Sequence, residues 1–380
     1  MRLSPFSFLR GSAIIMAYDL GTSGCTTGVQ VQACGDCHLE NFGIFATPER
    51  NVVFDINDFD ETLAAPWEWD VKRLAASIHV SARCTGLSEN RARAAVRASV
   101  REYRESLAAC AEMTTLEIWY ARIDAAEVFD IAQAATSLKA AEADSAPDDA
   151  HELIAEQYTR GGGFDRRIAD KPPKLFHPPP DGESVIDGAQ VLAKYRESLR
   201  EDLAVLLDNY ELVDMAVKVV GIGSVGTRCA VALLMAHEND ALILQIKEAR
   251  RSVLEPYAQK CPFENQGRRV VAGQRTMQTA SDAFLGWSES DDGHQFYVRQ
   301  LSDVKGSIDS VSLSASQLLG YASLCGKTLA LTHARSGSPA VISGYLGSAD
   351  TFDKAIAKFS QRYADLVEHD YEEFLKSTKV

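Results

Sequence analysis

The spacing of apolar residues changes twice along the chain. From Trp67 to Cys84 the residues Val71, Leu74, Ala75, Ile78 and Ala82 recur at intervals of three and four, which predicts an amphipathic helix. The same period predicts further helices over about 89–112, 114–140 and 148–158, and another near 187–208. Ahead of them, "NFGIFATPERNVVFDI" reads as two short strands, Phe42–Phe45 and Val52–Ile56, joined by the turn "TPER". Beyond residue 210 the texture becomes β-rich: "MAVKVVGIGSVGTRCAVALLM", "ALILQIKEA", "AFLGWSE" and "QFYVRQL" are strand-like, the last two separated by the turn "SDDG". Helical spacing returns in "LLGYASLCGKTLALTHA" and in Ile356, Phe359, Tyr363, Leu366, Val367, Tyr371 and Phe374. Between the first two regions, "TRGGGFDRRIADKPPKLFHPPPDGES" (159–184) holds four glycines, three of them consecutive, and five prolines, which rule out regular structure and mark a linker or lid. Its basic residues could meet an anionic ligand or simply be solvated.

A chain of 380 residues can build a large core or two lobes, and 46% hydrophobic with 24% charged residues describe a soluble globular protein. With 39 Lys plus Arg against 53 Asp plus Glu, the formal charge of −14 argues against non-specific partnership with nucleic acid or an anionic membrane. No apolar run reaches the length of a membrane span, and the run Ala13–Ala17 is too short for a signal peptide. The cytoplasm is therefore the expected compartment. Cys25, Cys34, Cys37, Cys84, Cys110, Cys229, Cys261 and Cys325 are scattered through apolar stretches, as reduced cysteines are, rather than forming a dense disulfide framework.

"QACGDCHLENFGIF" (32–45) admits three readings. Cys34-x-x-Cys37-His38 has the spacing of a c-type haem attachment, and Cys25 would complete a zinc set of three cysteines and a histidine. The same letters contain Gly35-Asp36-x-His38-x-x-Asn41, an aspartate with an asparagine five residues on, as in a phosphotransferase catalytic loop. Covalent haem attachment normally follows export, which weakens the first.

Three other stretches bear on the choice. Gly221-Ile222-Gly223-Ser224-Val225-Gly226 follows a strand-like run, where glycines let backbone N–H groups approach phosphate. It serves a glycine-rich hairpin over ATP, a dinucleotide turn with Glu248 as the acidic residue, or an ordinary turn. Lys247 ends the apolar run "ALILQIK" 21 residues after Gly226, where a kinase places the lysine that meets the α- and β-phosphates. "NDFDE" crowds Asp58, Asp60 and Glu61 next to Asp55, and such carboxylates repel one another unless solvated, protonated or bound to a cation. Together these parts suffice for moving a phosphoryl group, but their order is inverted: the loop stands near residue 36 and the glycine-lysine region near 213–302.

The stretches "SPFSFLRGSA", "GDCHLENFG", "VVFDINDFDET", "WEWDVKRLAAS", "LQIKEA", "GQRTMQTASDAFLGW", "YVRQLSDVKGS" and "GYLGSADTFDKAIAKFSQRYADLVEHDYEEF" closely resemble the bacterial family known as domain of unknown function 2252, over nearly the whole chain. That family carries residues ahead of "SPF", which would make this chain a shortened form. More widely, "GDxHxxN" followed by an acidic motif resembles the protein-kinase-like superfamily of aminoglycoside and choline kinases. "CGKTLALTHARSG" (325–337) resembles the helix that precedes that loop there, and is expected beside it in space.

The resemblance implies an α+β, two-lobed, kinase-like fold in circularly permuted order. It divides the chain into a helical catalytic lobe (1–208), a β-rich nucleotide lobe (209–305) and helices returning to the first lobe (306–380). It implies ATP and Mg2+ as cofactors, with Asp36, His38 and Lys247 as catalytic residues and Asn41, Asp58 and Asp60 as metal ligands. Gly221, Gly223, Ser224, Gly226, Lys247 and Glu255 would bind the nucleotide, Glu255 as the partner of Lys247, and Asp70 would steady the loop. Cys34 departs from the histidine usual before Gly-Asp. The acceptor, a small molecule or a protein, is not specified, and nucleotidyl transfer is served by the same parts. A nucleotide-binding pseudokinase and a dinucleotide-dependent oxidoreductase are the other classes open to this chain.

Overall fold

The computed structural model describes residues 1–124, 150–179, 186–219, 221, 226–301 and 305–377. The fold is mixed α+β, with 50% helix, 19% strand and one sheet curled into a half-barrel. Helices α1 (Pro5–Arg10) and α2 (Ala13–Ser23) lead into β1 (Gln30–Ala33), the 34–41 loop and a hairpin of β2 (Phe42–Ala46) and β3 (Val52–Ile56). Then β4 (Leu63–Pro66) returns antiparallel to β1, and α3 (Trp67–Cys84) begins at once. Next come α4 (Glu89–Ala111) and α5 (Thr115–Tyr120). The helix expected over 114–140 stops at Tyr120 because the chain turns along β3, where Ile123 O accepts from Phe54 N (2.9 Å) and Asp124 bridges Val53. The rest of that expectation, from 125 on, lies outside the described residues.

The 159–184 stretch is less irregular than its glycines and prolines suggest. After α6 (Ala150–Tyr158), it makes β5 (Thr159–Arg160), β6 (Arg167–Ile168) and β7 (Leu175–Phe176). Ile168 and Leu175 are buried against the large sheet, and this apolar anchorage draws the backbone into short pairings. The single helix expected near 187–208 is two, α7 (Gly188–Glu197) and α8 (Glu201–Leu207). Ser198 stands at the break and turns its hydroxyl to the neighbouring strand, accepting from Trp287 N at 2.8 Å.

Six strands form the half-barrel: β7, β8 (Glu211–Lys218), β9 (Cys229–His237), β10 (Asp240–Glu248), β12 (Gln295–Gln300) and β11 (Gly286–Glu289), in that spatial order and antiparallel throughout. Between β10 and β11 the chain makes α9 (Gln266–Met277), and β13 (Lys305–Ser307) then leaves the half-barrel to join β2 and β3 as a third strand. Period-two alternation fixes the two faces of the large sheet. Leu244, Ile246, Phe296 and Val298 face Val191, Tyr195 and Leu207, while Val231, Leu233 and Ile243 face Ala155, Ile168 and Leu175. Residues of 155–207 thus pack with this sheet although they precede residue 209.

The chain ends with α10 (Ala315–Ser336), α11 (Pro339–Leu346) and α12 (Thr351–Ser377). Phe6, Trp67, Tyr103, Tyr321 and Ile356 share one core cluster, so both ends of the chain close over α3. Among the described residues no helix is long and apolar enough to cross a membrane.

Candidate functional site

Helix α3 was expected to bury one face, yet nearly every residue from Trp67 to Ala82 is buried, polar ones included. Three of those polar residues, Asp70, Arg73 and Ser77, are spaced three and four apart and therefore form one stripe. The 34–41 loop lies along that stripe. Asp70, 1% exposed, accepts from Cys34 N at 2.7 Å and Gly35 N at 3.0 Å. Arg73 donates to Asp36 Oδ1 through Nε (2.8 Å) and Nη2 (2.7 Å), and Ser77 Oγ accepts from Leu39 N at 3.1 Å.

Asp70 is supported from behind by α10. His333 Nε2 lies 3.1 Å from Asp70 Oδ2 and its Nδ1 2.8 Å from Tyr103 Oη, with His333 fully buried. A carboxylate only accepts, so Nε2 carries a proton toward Asp70. Ser336, one turn on, accepts from Gln32 N at 2.9 Å. The 325–337 segment thus stands beside β1 and the loop, roughly 300 residues away in sequence.

Within the loop, Asn41 Nδ2 donates to the Asp36 carbonyl at 2.7 Å, which leaves its amide oxygen as the free end. Arg73 occupies Asp36 Oδ1, while Oδ2 lies 3.8 Å from His38 Nε2, beyond hydrogen-bond reach. His38 is 4% exposed and its buried Nδ1 has no partner. Burial outweighs the pull of Asp36 and, with Arg73 and Arg10 nearby, lowers the imidazole to about 4, so it is neutral near pH 7.

The acidic turn is bonded to this loop at several points. Asn57 N donates to Asn41 O (2.8 Å), and Cys34 Sγ to Asp58 O (3.3 Å). Gly35 has φ 85°, and a methyl group there would stand 2.5 Å from Glu61 O, so only glycine allows the two backbones to meet. From the other side Arg269 of α9, 2% exposed, donates to Thr62 O (2.6 Å), Asp60 O (2.8 Å) and Arg250 O (2.8 Å). Burial raises Glu61 to about 7 even though Val253 N donates to it at 2.7 Å.

Lys247 on β10 reaches this turn across the sheet face. Its ammonium lies 2.9 Å from Asp60 Oδ2 and 2.7 Å from Tyr297 Oη, and that tyrosine donates to Asp60 Oδ1 at 2.6 Å. Burial alone would lower the ammonium, but Asp60, Tyr297 and Asp58 hold it well above its ordinary value. The carboxylate that meets Lys247 is Asp60 and not Glu255. Glu255 lines a separate cleft of about 720 Å³, together with Glu248, Arg250, Lys260 and His294.

Of the glycine-rich stretch, Gly223 and Ser224 lie outside the described residues. Gly221 and Gly226 are exposed, Gly226 with φ 82°, and its carbonyl accepts from Arg250 Nη2. The stretch joins the antiparallel strands β8 and β9. Among the described residues it leads into a strand, not into the helix N-terminus on which a dinucleotide turn sets its pyrophosphate.

Cys34 and Cys37 are buried while Cys25 is exposed, and among the described residues no three His, Cys, Asp or Glu side chains are grouped to enclose a metal. The zinc set does not assemble. Mg2+ makes a different demand, one or two carboxylates completed by phosphate oxygens and water. The Asp58 carboxylate and the free amide oxygen of Asn41 are hard donors of that kind, so these residues fit an ion carried in with a phosphate.

Residue patterning did not single out Arg73, Ser77, Arg269, Tyr297 or His333. The signal for the first two was legible as the polar stripe Asp70-x-x-Arg73-x-x-x-Ser77 inside an apolar helix. Over residues 1–377 the chain matches a bacterial family described as "uncharacterized protein conserved in bacteria", DUF2252. No curated protein and no solved structure matches it.

Proposed function

The chain belongs to this bacterial family, and on that premise we propose that it is an ATP- and Mg2+-dependent phosphotransferase acting on a small-molecule or protein acceptor. The observation that carries the reading is the junction of three remote segments: the Asp36–Asn41 loop, the Asp58–Asp60 turn and Lys247. A phosphoryl transfer needs positioning and charge neutralisation more than covalent chemistry, and this junction supplies both kinds of group.

Mg2+ held by Asp58 and Asn41 would neutralise phosphate charge. Lys247, released from Asp60 when phosphate arrives, would supply a second positive charge, and the glycine-rich connection between β8 and β9 would cover the phosphates. Asp36, fixed through Oδ1 by Arg73, would present Oδ2 to the acceptor hydroxyl and orient it or take its proton. His38, neutral and buried, would shape the wall beside Oδ2.

The arrangement is read as two kinase-like lobes in permuted order: the sheet from 209 to 305 as the nucleotide lobe, and 1–208 with 306–380 as the catalytic lobe. What supports this is the succession of hairpin, lysine strand and helix along β8, β9, β10 and α9. Calorimetry of MgATP on wild type and Asp58→Ala, with NAD as a control, tests the site. Metal-dependent ATP binding that disappears in the variant is expected, and binding of NAD without ATP would discard it. Transfer of label from γ- rather than α-labelled ATP separates phosphoryl from nucleotidyl transfer, and full turnover by Asp36→Ala would remove that residue's role.

A further inference from the structure

Lysine 247 is not alone on its face of the sheet. Val217 pairs with Ala230, which sets Lys218 beside Cys229; Cys229 pairs with Lys247, and Lys247 with Tyr297. Paired residues point to the same face, so Lys218, Lys247 and Tyr297 form one row across four strands. One step along, Gln245 pairs with Arg299 on that face. With strands about 4.8 Å apart, the backbones of Lys218 and Lys247 are roughly 10 Å apart. Lys218 is also the last residue of β8, where the chain enters the glycine-rich stretch.

Carboxylates do not compensate these cations equally. Lys247 has Asp60. Arg299 hydrogen-bonds to neutral atoms, Gln245 Oε1 at 3.2 Å and Asn57 O at 3.4 Å, while lying in the field of Asp58, Asp60 and Asp282. Lys218 has no carboxylate partner among the described residues. Its ammonium rests 4.9 Å above the Tyr158 ring and 3.5 Å from the Tyr158 hydroxyl. Lys171 approaches the same ring at 5.6 Å. Burial, with Arg299 and Lys247 close by, lowers the Lys218 ammonium. Lys218, Lys247 and Arg299 thus share one face, with Asp60 on Lys247 and Asp58, Asp60 and Asp282 acting on Arg299, while Lys218 is left as the cation that a phosphate oxygen would pair.

We infer that Lys218 and Arg299 form a second cationic seat, beside Lys247, for the polyphosphate tail of a nucleoside triphosphate. Tyr158 holds the Lys218 ammonium in place by its ring and hydroxyl until phosphate oxygens replace them. The inference rests on the proposed nucleotide site but concerns groups that site had not used. It also joins the 158–176 segment to occupancy, because Ala169 N donates to Tyr158 O at 2.8 Å and Leu175 pairs with Lys218.

The test is calorimetry of MgATP, AMP and magnesium tripolyphosphate on wild type, Lys218→Met and Lys174→Met. Methionine keeps an apolar stem over the Tyr158 ring, and Lys174 is an exposed lysine of the same segment that controls for net charge. Lys218→Met is expected to weaken MgATP and tripolyphosphate roughly tenfold while AMP and the Lys174→Met variant change little. Equal MgATP binding by wild type and Lys218→Met overturns the seat and leaves the ATP reading standing. Lys218-dependent binding of tripolyphosphate without ATP sustains the seat and sinks the ATP reading. Failure of wild type to bind either ligand sinks both, and equal weakening of AMP and MgATP shows a merely structural lysine, against the inference.

Discussion

Replacing Asp70 by asparagine tests whether one buried carboxylate sets the shape of the loop. Asp70 accepts three hydrogen bonds, from Cys34 N at 2.7 Å, Gly35 N at 3.0 Å and His333 Nε2 at 3.1 Å. An amide of the same size keeps one oxygen. If that oxygen stays with Cys34 N and His333, the new amide nitrogen faces Gly35 N–H, donor against donor. The change loses one charge-assisted hydrogen bond, about 1.5–3 kcal/mol, and makes the other two neutral, so a total near 3 kcal/mol is expected. Urea unfolding followed by tryptophan fluorescence measures it, because Trp67 and Trp69 flank the position and both are buried. The midpoint should fall at unchanged slope, and the variant should also bind MgATP more weakly. A loss under about 1 kcal/mol would mean that the loop takes its shape from elsewhere.

Four further outcomes follow from the same geometry. Gly35→Ala should lower stability by about 2–4 kcal/mol, since it combines a left-handed backbone with a methyl group driven into Glu61 O; an unchanged melting temperature would contradict it. Lys247→Met should weaken MgATP at least tenfold by calorimetry, because Asp60 then faces phosphate without its cation. His38 titrates at about 4 when folded against 6.5 in the free side chain, so the unfolded chain takes up a proton that the folded one refuses as pH falls below 6.5. Its contribution, about 3 kcal/mol, is complete above pH 6.5 and lost between 6.5 and 4, and His38→Gln should flatten that limb of a stability–pH curve. Glu61, raised to about 7, has the opposite sign: stability falls as pH rises from 4.5 to 7, and Glu61→Gln should remove that fall.

Much of the element order was legible because apolar period survives in isolation. The hairpin at 42–56, helix 67–84 and strands 229–237, 240–248 and 295–300 stand where alternation or helical spacing placed them. Helix α9 was not seen, since "QGRRVVAGQRTM" is rich in arginine and interrupted by glycine, and it forms because Arg269 finds three backbone carbonyls of the remote 60–62 turn and 250. A candidate chemistry for the 34–41 loop could be proposed from its letters, and of its supports Asp70 was expected while the others were not. Arg73 and Ser77 left a trace as a polar stripe in an apolar helix, but its purpose, like that of His333, emerges only when the fold lays the loop along α3. Likewise the choice of Asp60 over Glu255 beside Lys247 depends on which face of β10 meets the acidic turn. That is a property of register, which no local pattern reports.

The support of Asp70 by His333 also carries a clock. A ribosome makes the 34–41 loop early and His333 roughly 300 residues later, an interval of about 15–60 s at ordinary rates of elongation. For that time the nascent chain holds β1, β4 and α3 without α10 to cover them, so apolar side chains such as Val31 and Trp67 await their partners. The emerging chain thus keeps that apolar surface open until α10 is made, and a nonsense mutation before residue 333 leaves Asp70, Arg73 and Ser77 to hold the loop without the histidine behind Asp70.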